Sequence, residues 1–384
     1  MNKDLIERLK LNFETEFKTK PILTFAPGRI NLIGGHTDYN DGFVFPAAID
    51  KGIVAAIQES NTNISSLIAI DVNERHEFLL NDISPINNGG WKNYVLGIVS
   101  EIQKTGRTIK PFNLIFGGDI PRGSGLSSSA ALENSVVFGL NELFQLGLSK
   151  KEMIFISQKA EHSFAGVQCG IMDQYASMFG KKHTAILLDC ENMEASIVNI
   201  DLGDHEILII NTEVKHSLAE SEYNERRATC EFVVSQLGIN SLRSASNDGL
   251  LLIKDKISEA DYKKARYVVE ENNRVIQAFN AIKNNDLEQL GKLLFASHKG
   301  LKQQYNVSCN ELDFLVDYAK KSSEVIGARM MGGGFGGCAI NIIKKKFLEP
   351  YINDVAKAYA QKFNIDCSFY TVNLSDGTRI IKPI

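Results

Sequence analysis

A chain of 384 residues, 44% hydrophobic and 23% charged, is long enough for two hydrophobic cores and has the composition of an ordinary globular protein. Its formal net charge of −4, with no extended basic stripe, argues against a nucleic-acid partner; Lys344-Lys345-Lys346 reads as the solvated end of a strand. No apolar run approaches membrane-spanning length, and the six cysteines (Cys169, Cys190, Cys230, Cys309, Cys338, Cys367) form no C-x-x-C pair and no zinc-spaced cluster, so a cytoplasmic chain with reduced thiols and no membrane partner is expected.

The N-terminal MNKDLIERLKLNFETEF lacks a signal-peptide apolar core and predicts an amphipathic surface helix with Leu5, Ile6, Leu9 and Phe13 inward. Ile22 to Phe25 reads as a short strand running into APGRINLIGGHTDYNDG (26–42). That stretch sets Arg29, His36, Asp38 and Asp41 among glycines, together with Asn31 and Asn40. Polar side chains in a glycine-rich loop suit a binding surface, although a plain polar hairpin turn has the same look. Strand character resumes at Val44-Phe45-Pro46 and from Gly52 to Ile57.

Phe112 to Phe116 predicts a strand, and Ser127 to Leu146 a helix with Ala130, Ala131, Val137, Leu140 and Phe144 at helical spacing. Between them lies a glycine loop that ends in three serines at the helix start. Glycine-freed amides, unpaired first-turn donors and hydroxyls together make a phosphate cradle; serines as simple helix caps are the competing reading. Gly118 to Gly123 has P-loop spacing, but Ser124 stands where a P-loop needs lysine.

Lys150 to His162 predicts a second helix, followed by the loop Gly166 to Gly170. Asp173 then stands where a new helical turn begins, either capping it or orienting or deprotonating a hydroxyl. Beyond Leu188 the texture changes. His205 to Asn211 reads as a strand, His216 to Leu237 as a helix carrying Glu220, Tyr223, Arg226 and Arg227, and 255–318 as charged helix. Gly332, Gly334 and Gly337 satisfy G-x-G-x-x-G, yet Cys338 to Ile343 reads as a strand, whereas a dinucleotide fingerprint must open a helix. A domain boundary is expected at 195/196, giving segments 1–195 and 196–384.

Several stretches in collinear order resemble the GHMP small-molecule kinases: PGRINLIGGHTDYNDGF, GSGLSSSAALE (123–133), AEHSFAGVQCGIMDQ (160–174), HSLAESEYNERR (216–227) and GARMMGGGFGGCAI (327–340). The first is similar to the galactokinase signature of that family. The resemblance implies an α+β two-domain GHMP-kinase fold, with an N-terminal ribosomal-protein-S5-domain-2-like domain for sugar and nucleotide and a C-terminal ferredoxin-like domain. It implies ATP-dependent phosphorylation of the C1 hydroxyl of D-galactose by a monomer, with galactose and ATP as small-molecule partners and Mg²⁺ as cofactor.

By the same resemblance, Gly123, Ser124, Gly125, Leu126, Ser127, Ser128, Ser129 and Ala130 would wrap the ATP phosphates and Trp91 would lie near the adenine. Ser129 and Glu161 would hold Mg²⁺. Asp173 would face the anomeric hydroxyl as base or orienter, with Arg29 beside it. Gly35, His36, Thr37, Asp38 and Tyr223 would line the sugar, and glycines 332–337 would close the cleft. One position departs from the family pattern: Gly35 stands where galactokinases usually carry a glutamate that accepts a hydrogen bond from the sugar's C6 hydroxyl. Losing a charged acceptor costs roughly 1.5–3 kcal/mol when nothing replaces it. The departure opens a second expectation, a sugar altered at C6 such as galacturonate or L-arabinose, while the retained HTDYN favours galactose. A non-catalytic sensor of galactose and ATP is disfavoured by the intact serine loop, Arg29 and Asp173.

Overall fold

The protein is described here by a computed structural model covering residues 2–121, 123–214 and 219–382. The first helix, Lys3–Phe17, buries Leu5, Ile6, Leu9 and Phe13, the four positions its periodicity assigns inward. They pack on Phe25, Val54, Ala56, Ile68 and Ile115 from one face of a six-stranded sheet. Each such side chain contributes at most about 1.5–3 kcal/mol by leaving water. On strand Pro46–Glu59 the neighbours Ile53, Ala55 and Ile57 point the other way. There the helices Trp91–Lys104, Ser128–Phe144, Lys150–Ala160 and Met172–Phe179 form the second layer. This is the period-two alternation of a sheet covered on both faces.

The sheet runs in the order Arg379–Ile380, Ile22–Asn31, Pro46–Glu59, Phe112–Gly118, Ser65–Ala69, Glu74–Phe78. A second, four-stranded antiparallel sheet runs Val325–Met331, Cys338–Lys344, His205–Asn211, Ser368–Val372. One of its faces joins a core with Tyr267, Val268, Leu312, Leu315, Val355 and Tyr359 from the later helices. Its other face, through Ile207, Ile209, Ile340 and Ile342, joins the same core as the first half. The glycine stretch thus leads into a strand, and a dinucleotide fingerprint is excluded.

A hairpin of Thr184–Asp189 and Glu194–Asn199 closes the first half, and the chain changes sheets between Asn199 and His205. A division at 195/196 cuts that hairpin's second strand. The final strand returns: Ile380 and Arg379 pair with Thr24 and Phe25.

Two expected elements differ. The strand from Ile22 reaches Asn31, so Arg29 sits on a strand and not in a loop. A register shift between Pro27 and Arg29 accommodates Pro27 and Gly28, residue types that usually interrupt a strand. A Cβ on Gly28 would lie 2.5 Å from the Leu126 carbonyl, so glycine here lets the serine loop approach the strand. The helix expected from His216 runs Ala219–Leu237; His216, with its neighbours 215, 217 and 218, lies outside the described residues.

Candidate active site

The glycine loop delivers Ser127 in a left-handed conformation (φ 62°, ψ 55°), uncommon for a residue other than glycine. Its hydroxyl does not cap the helix. It donates to Asp173 Oδ2 at 2.5 Å, and the amides at the start of Ser128–Phe144 receive no side-chain cap. They remain as donors aimed with the positive end of the helix dipole, which favours the phosphate-cradle reading over capping.

Asp173 lies in the first turn of Met172–Phe179, where no side chain caps the helix. Arg29 grips its carboxylate with both prongs: Nε to Oδ1 at 2.6 Å and Nη2 to Oδ2 at 2.7 Å. Arg29 Nη1 donates to the Gly125 carbonyl at 2.6 Å, and Arg29 N donates to Leu126 O at 3.1 Å. One nearly buried guanidinium therefore fastens the strand, the glycine loop and the second helix start together.

Arg29 and Asp173 form one wall of a cavity of about 150 Å³ that Gly35, His36, Asp38, Glu161 and Tyr223 also line. Asn31, Cys169, Gly170, Gly332 and Gly333 are also on its lining, none of them a predicted ligand. A second hollow, about 200 Å³, has Trp91, Tyr94, Phe116 and Leu132 as apolar walls and Ser128 and Ser129 on its lining. Trp91 meets Phe116 edge-on at 5.2 Å and donates from Nε1 to Glu74 at 3.0 Å. A larger surface hollow near Lys302, Tyr318 and Lys362 contains none of these groups.

The remaining expected residues play various parts. Thr37 donates to the carbonyls of Gly34 and Phe43 (3.0 and 2.7 Å), building the turn without lining the cavity. Ser124 spends its hydroxyl on Pro121 O at 2.6 Å, while Leu126 and Ala130 are buried. His36 has both ring nitrogens engaged, Nδ1 with Tyr39 Oη at 2.8 Å and Nε2 with Gly333 O at 3.2 Å. A carbonyl only accepts, so the network assigns the proton to Nε2 and makes Nδ1 the acceptor. Tyr305 Oη, 2.7 Å from Tyr39 Oη, extends the chain. Burial pushes the His36 imidazole down to about 3, and the ring stays neutral at pH 7.

Asp38 is buried, and desolvation, then the charge of Asp173, pushes its carboxyl from 3.8 up to about 6. A Cβ on Gly170 would lie 2.0 Å from Asp38 Oδ2, so glycine there makes room for the carboxylate. An acid whose folded pKa is raised loses stability as pH climbs from its unfolded pKa through the folded one. Asp38→Asn is therefore expected to stabilise the ligand-free protein by roughly 1–3 kcal/mol at pH 8, with the gain fading below pH 6 and gone near pH 4. Paired thermal melts across that range check this, and a gain that grows toward acid would contradict it.

Glu161 falls where the helix Lys150–Ala160 widens into a single π turn, Glu161–Ala165, a feature common at functional sites. It accepts from Gln174 Nε2 at 2.9 Å and from the Ser129 hydroxyl. Glu133, fully buried behind it, shares Gln174 at 3.2 Å. Burial pushes both carboxyls up, helped by the charge of Glu161 at Glu133 and by that of Asp173 at Glu161. Ser129 and Glu161 present two hard oxygens beside the helix start, a donor set that fits Mg²⁺, which takes few protein ligands and draws the rest from phosphates and water.

Sequence reasoning missed Glu133, Gln174 and, behind Gly35, Arg329. Arg329 had one available signal, a charge inside the otherwise uncharged run from Val325 to Met331.

The galactokinase galactose-binding signature matches residues 11–59, the GHMP kinases N terminal domain matches 93–181, and the GHMP kinases C terminal domain matches 278–350. A galactokinase of Clostridium acetobutylicum is 41% identical across 98% of this chain and 100% of its own length. The chain belongs to the galactokinase family. A second member, from Thermosipho africanus, is 42% identical over 93% of the chain and 99% of its own length. Within the family, the crystal structure of Lactococcus lactis galactokinase complexed with galactose superposes with a TM-score of 0.94 at 37% identity, covering 98% of this chain and 100% of that one. Beyond galactokinases the fold extends to Methanococcus jannaschii mevalonate kinase, TM-score 0.68 at 19% identity, over 94% of this chain and 100% of the other.

Proposed function

We propose that the protein transfers the terminal phosphoryl group of ATP to the C1 hydroxyl of D-galactose, giving galactose 1-phosphate and ADP. The observation that carries this is the Arg29–Asp173 pair, standing where the cavity wall meets the serine loop. A carboxylate has about four acceptor sites. Arg29 and Ser127 occupy three, leaving one to receive the C1 hydroxyl and turn its oxygen toward phosphorus. As that oxygen bonds to phosphorus and the bond to ADP breaks, the hydroxyl proton leaves toward Asp173. Arg29 and the amides of the helix start offset the charge on the moving phosphoryl group.

Asp38 and Tyr223 bind sugar hydroxyls in this reading, while Gly35 and His36 shape the wall and Thr37 holds its turn. The Trp91 hollow takes the adenine, and glycines 123 and 125 with serines 127–129 wrap the phosphates. Ser129 and Glu161 would hold Mg²⁺, which supplies neutralisation of phosphate charge. Ser129→Ala is expected to raise the Mg²⁺ concentration for half-maximal rate several-fold while leaving the galactose KM within about twofold; a Mg²⁺ titration under saturating ATP reads both.

Coupled ADP release with ATP and Mg²⁺ tests the function, run on galactose, galacturonate, L-arabinose, N-acetylgalactosamine and glucose. Galactose is expected to give the highest kcat/KM. Turnover confined to another sugar would overturn the substrate, and silence on all five with ATP still bound would overturn the activity.

A further inference from the structure

Gln174 follows Asp173 on the helix Met172–Phe179, is fully buried, and lies on the lining of neither hollow. Its amide nitrogen carries two N–H groups, and they reach two carboxylates: Glu161 Oε2 at 2.9 Å and Glu133 Oε2 at 3.2 Å. Its backbone carbonyl accepts from Asn134 Nδ2 at 2.9 Å, and Asn134 Oδ1 accepts from Ser157 Oγ at 3.0 Å. Glu133 and Asn134 are neighbours on Ser128–Phe144, the helix whose first turn carries Ser129. Backbone and side chain of Gln174 are thus tied to one helix by separate bonds, and only the side chain continues to Glu161.

As a structural brace this bridge is poorly made. Glu133 and Gln174 are wholly enclosed, yet Glu133 Oε1 and Gln174 Oε1 meet no donor among the described residues. Enclosing polar atoms without partners costs stability, and apolar side chains of similar volume would pack there at less cost. As a guide for Glu161 it is well made. Glu161 Oε2 also takes Cys169 Sγ at 3.5 Å, and the Ser129 hydroxyl donates to the same carboxylate. Donors from three separate segments stop that carboxylate from turning about its last torsion. A neutral amide suits the task, because it supplies two N–H groups from one atom and adds no charge to compete with a cation.

We propose that Gln174 is the positioning residue for Glu161, holding its carboxylate oriented for Mg²⁺, with Glu133 as the anchor that fixes the amide. This rests on the assignment of Ser129 and Glu161 to Mg²⁺ and extends it one shell outward.

Four variants of the full-length protein test it. Gln174→Met keeps the side-chain length and removes the amide. Glu133→Met/Gln174→Met removes both partners, so that no enclosed carboxyl loses its donor. Glu133→Gln keeps an acceptor for Gln174, and Glu161→Gln removes the charge of the ligand itself. Equilibrium binding of ATP without galactose is measured by calorimetry in Mg²⁺ and again in EDTA, where it reports the rest of the nucleotide site. Melting temperature and galactose KM are recorded for each variant.

Both methionine variants are expected to weaken ATP binding in Mg²⁺ about tenfold, the scale of losing an outer-shell partner of a metal ligand. Their ATP affinity in EDTA and their galactose KM are expected to stay within about twofold of wild type. Glu133→Gln is expected to bind ATP as wild type does in both buffers. Weakening in Mg²⁺ by Glu161→Gln but by neither methionine variant would overturn the positioning role and leave the ligand assignment standing; a lower melting temperature alone would then make the pair a brace. No weakening by Glu161→Gln would overturn the ligand assignment, and the proposal with it. Equal losses in Mg²⁺ and in EDTA would also overturn it, by showing a general disturbance of the serine loop. Should Gln174→Met fail to fold, the double variant decides.

Discussion

Asp173→Asn is expected to lower kcat for galactose phosphorylation by roughly 10³-fold, within the 10²–10⁴ range typical of a positioned acid–base group. The substitution keeps one carbonyl oxygen for Arg29 but turns the other acceptor into a donor that faces Arg29 and Ser127. The C1 hydroxyl thereby loses its acceptor and its aim. Alanine is the poorer test: it strips two bonds from a guanidinium whose side chain is only 4% exposed, and the stability lost would blur the kinetics. With asparagine, ATP affinity should stay within about twofold of wild type and the melting temperature within a few degrees. A purified Asp173→Asn enzyme running at the wild-type rate would sink the proposed chemistry.

Arg29→Lys is expected to cost as much or more, roughly 10³-fold or greater in kcat, the scale of arginines that neutralise a transferring phosphoryl group. Lysine keeps the charge but presents one nitrogen. It cannot hold both oxygens of Asp173 and the Gly125 carbonyl at once, as Arg29 does. The serine loop, which takes its position partly from that third bond, should also bind ATP less tightly. Because Arg29 and Asp173 act as a unit, the double substitution should cost little more than Arg29→Lys alone. Full additivity of the two losses would show that they act independently and would contradict the shared geometry. Steady-state kinetics of the three variants, with equilibrium ATP binding, decide it.

The residues that gather at the candidate site could be picked out from the sequence because their chemistry is unusual for their setting: an arginine, a histidine and an aspartate among glycines, and serines at a helix start. The first helix was equally open to reading, since its apolar period matches one buried face. What stayed hidden follows from defaults of pattern reading. Proline and glycine usually interrupt a strand, yet a register shift carries this one through Pro27 and Gly28 to Arg29. Serine is assigned to caps, whereas Ser127 takes a left-handed conformation and gives its hydroxyl to a carboxylate 46 positions away. Charged residues are assigned to the surface, so Glu133 and Arg329, both fully buried, left little trace. Their partners come from distant segments that no local window contains.

The return of the final strand has a consequence for how the molecule is made. Ile380 and Arg379 complete the edge beside Thr24 and Phe25, and Leu374 bridges to Ile49, so the earliest sheet takes its edge strand from residues more than 300 positions later. Side chains from Ile30 through Leu374 share one core across both sheets. Folding of the first half during synthesis, the usual habit of N-terminal domains, is therefore expected to wait until residues 374–380 have emerged from the ribosome. Stalled nascent chains ending before residue 373 are expected to remain protease-sensitive throughout, and the finished protein to melt in a single cooperative transition.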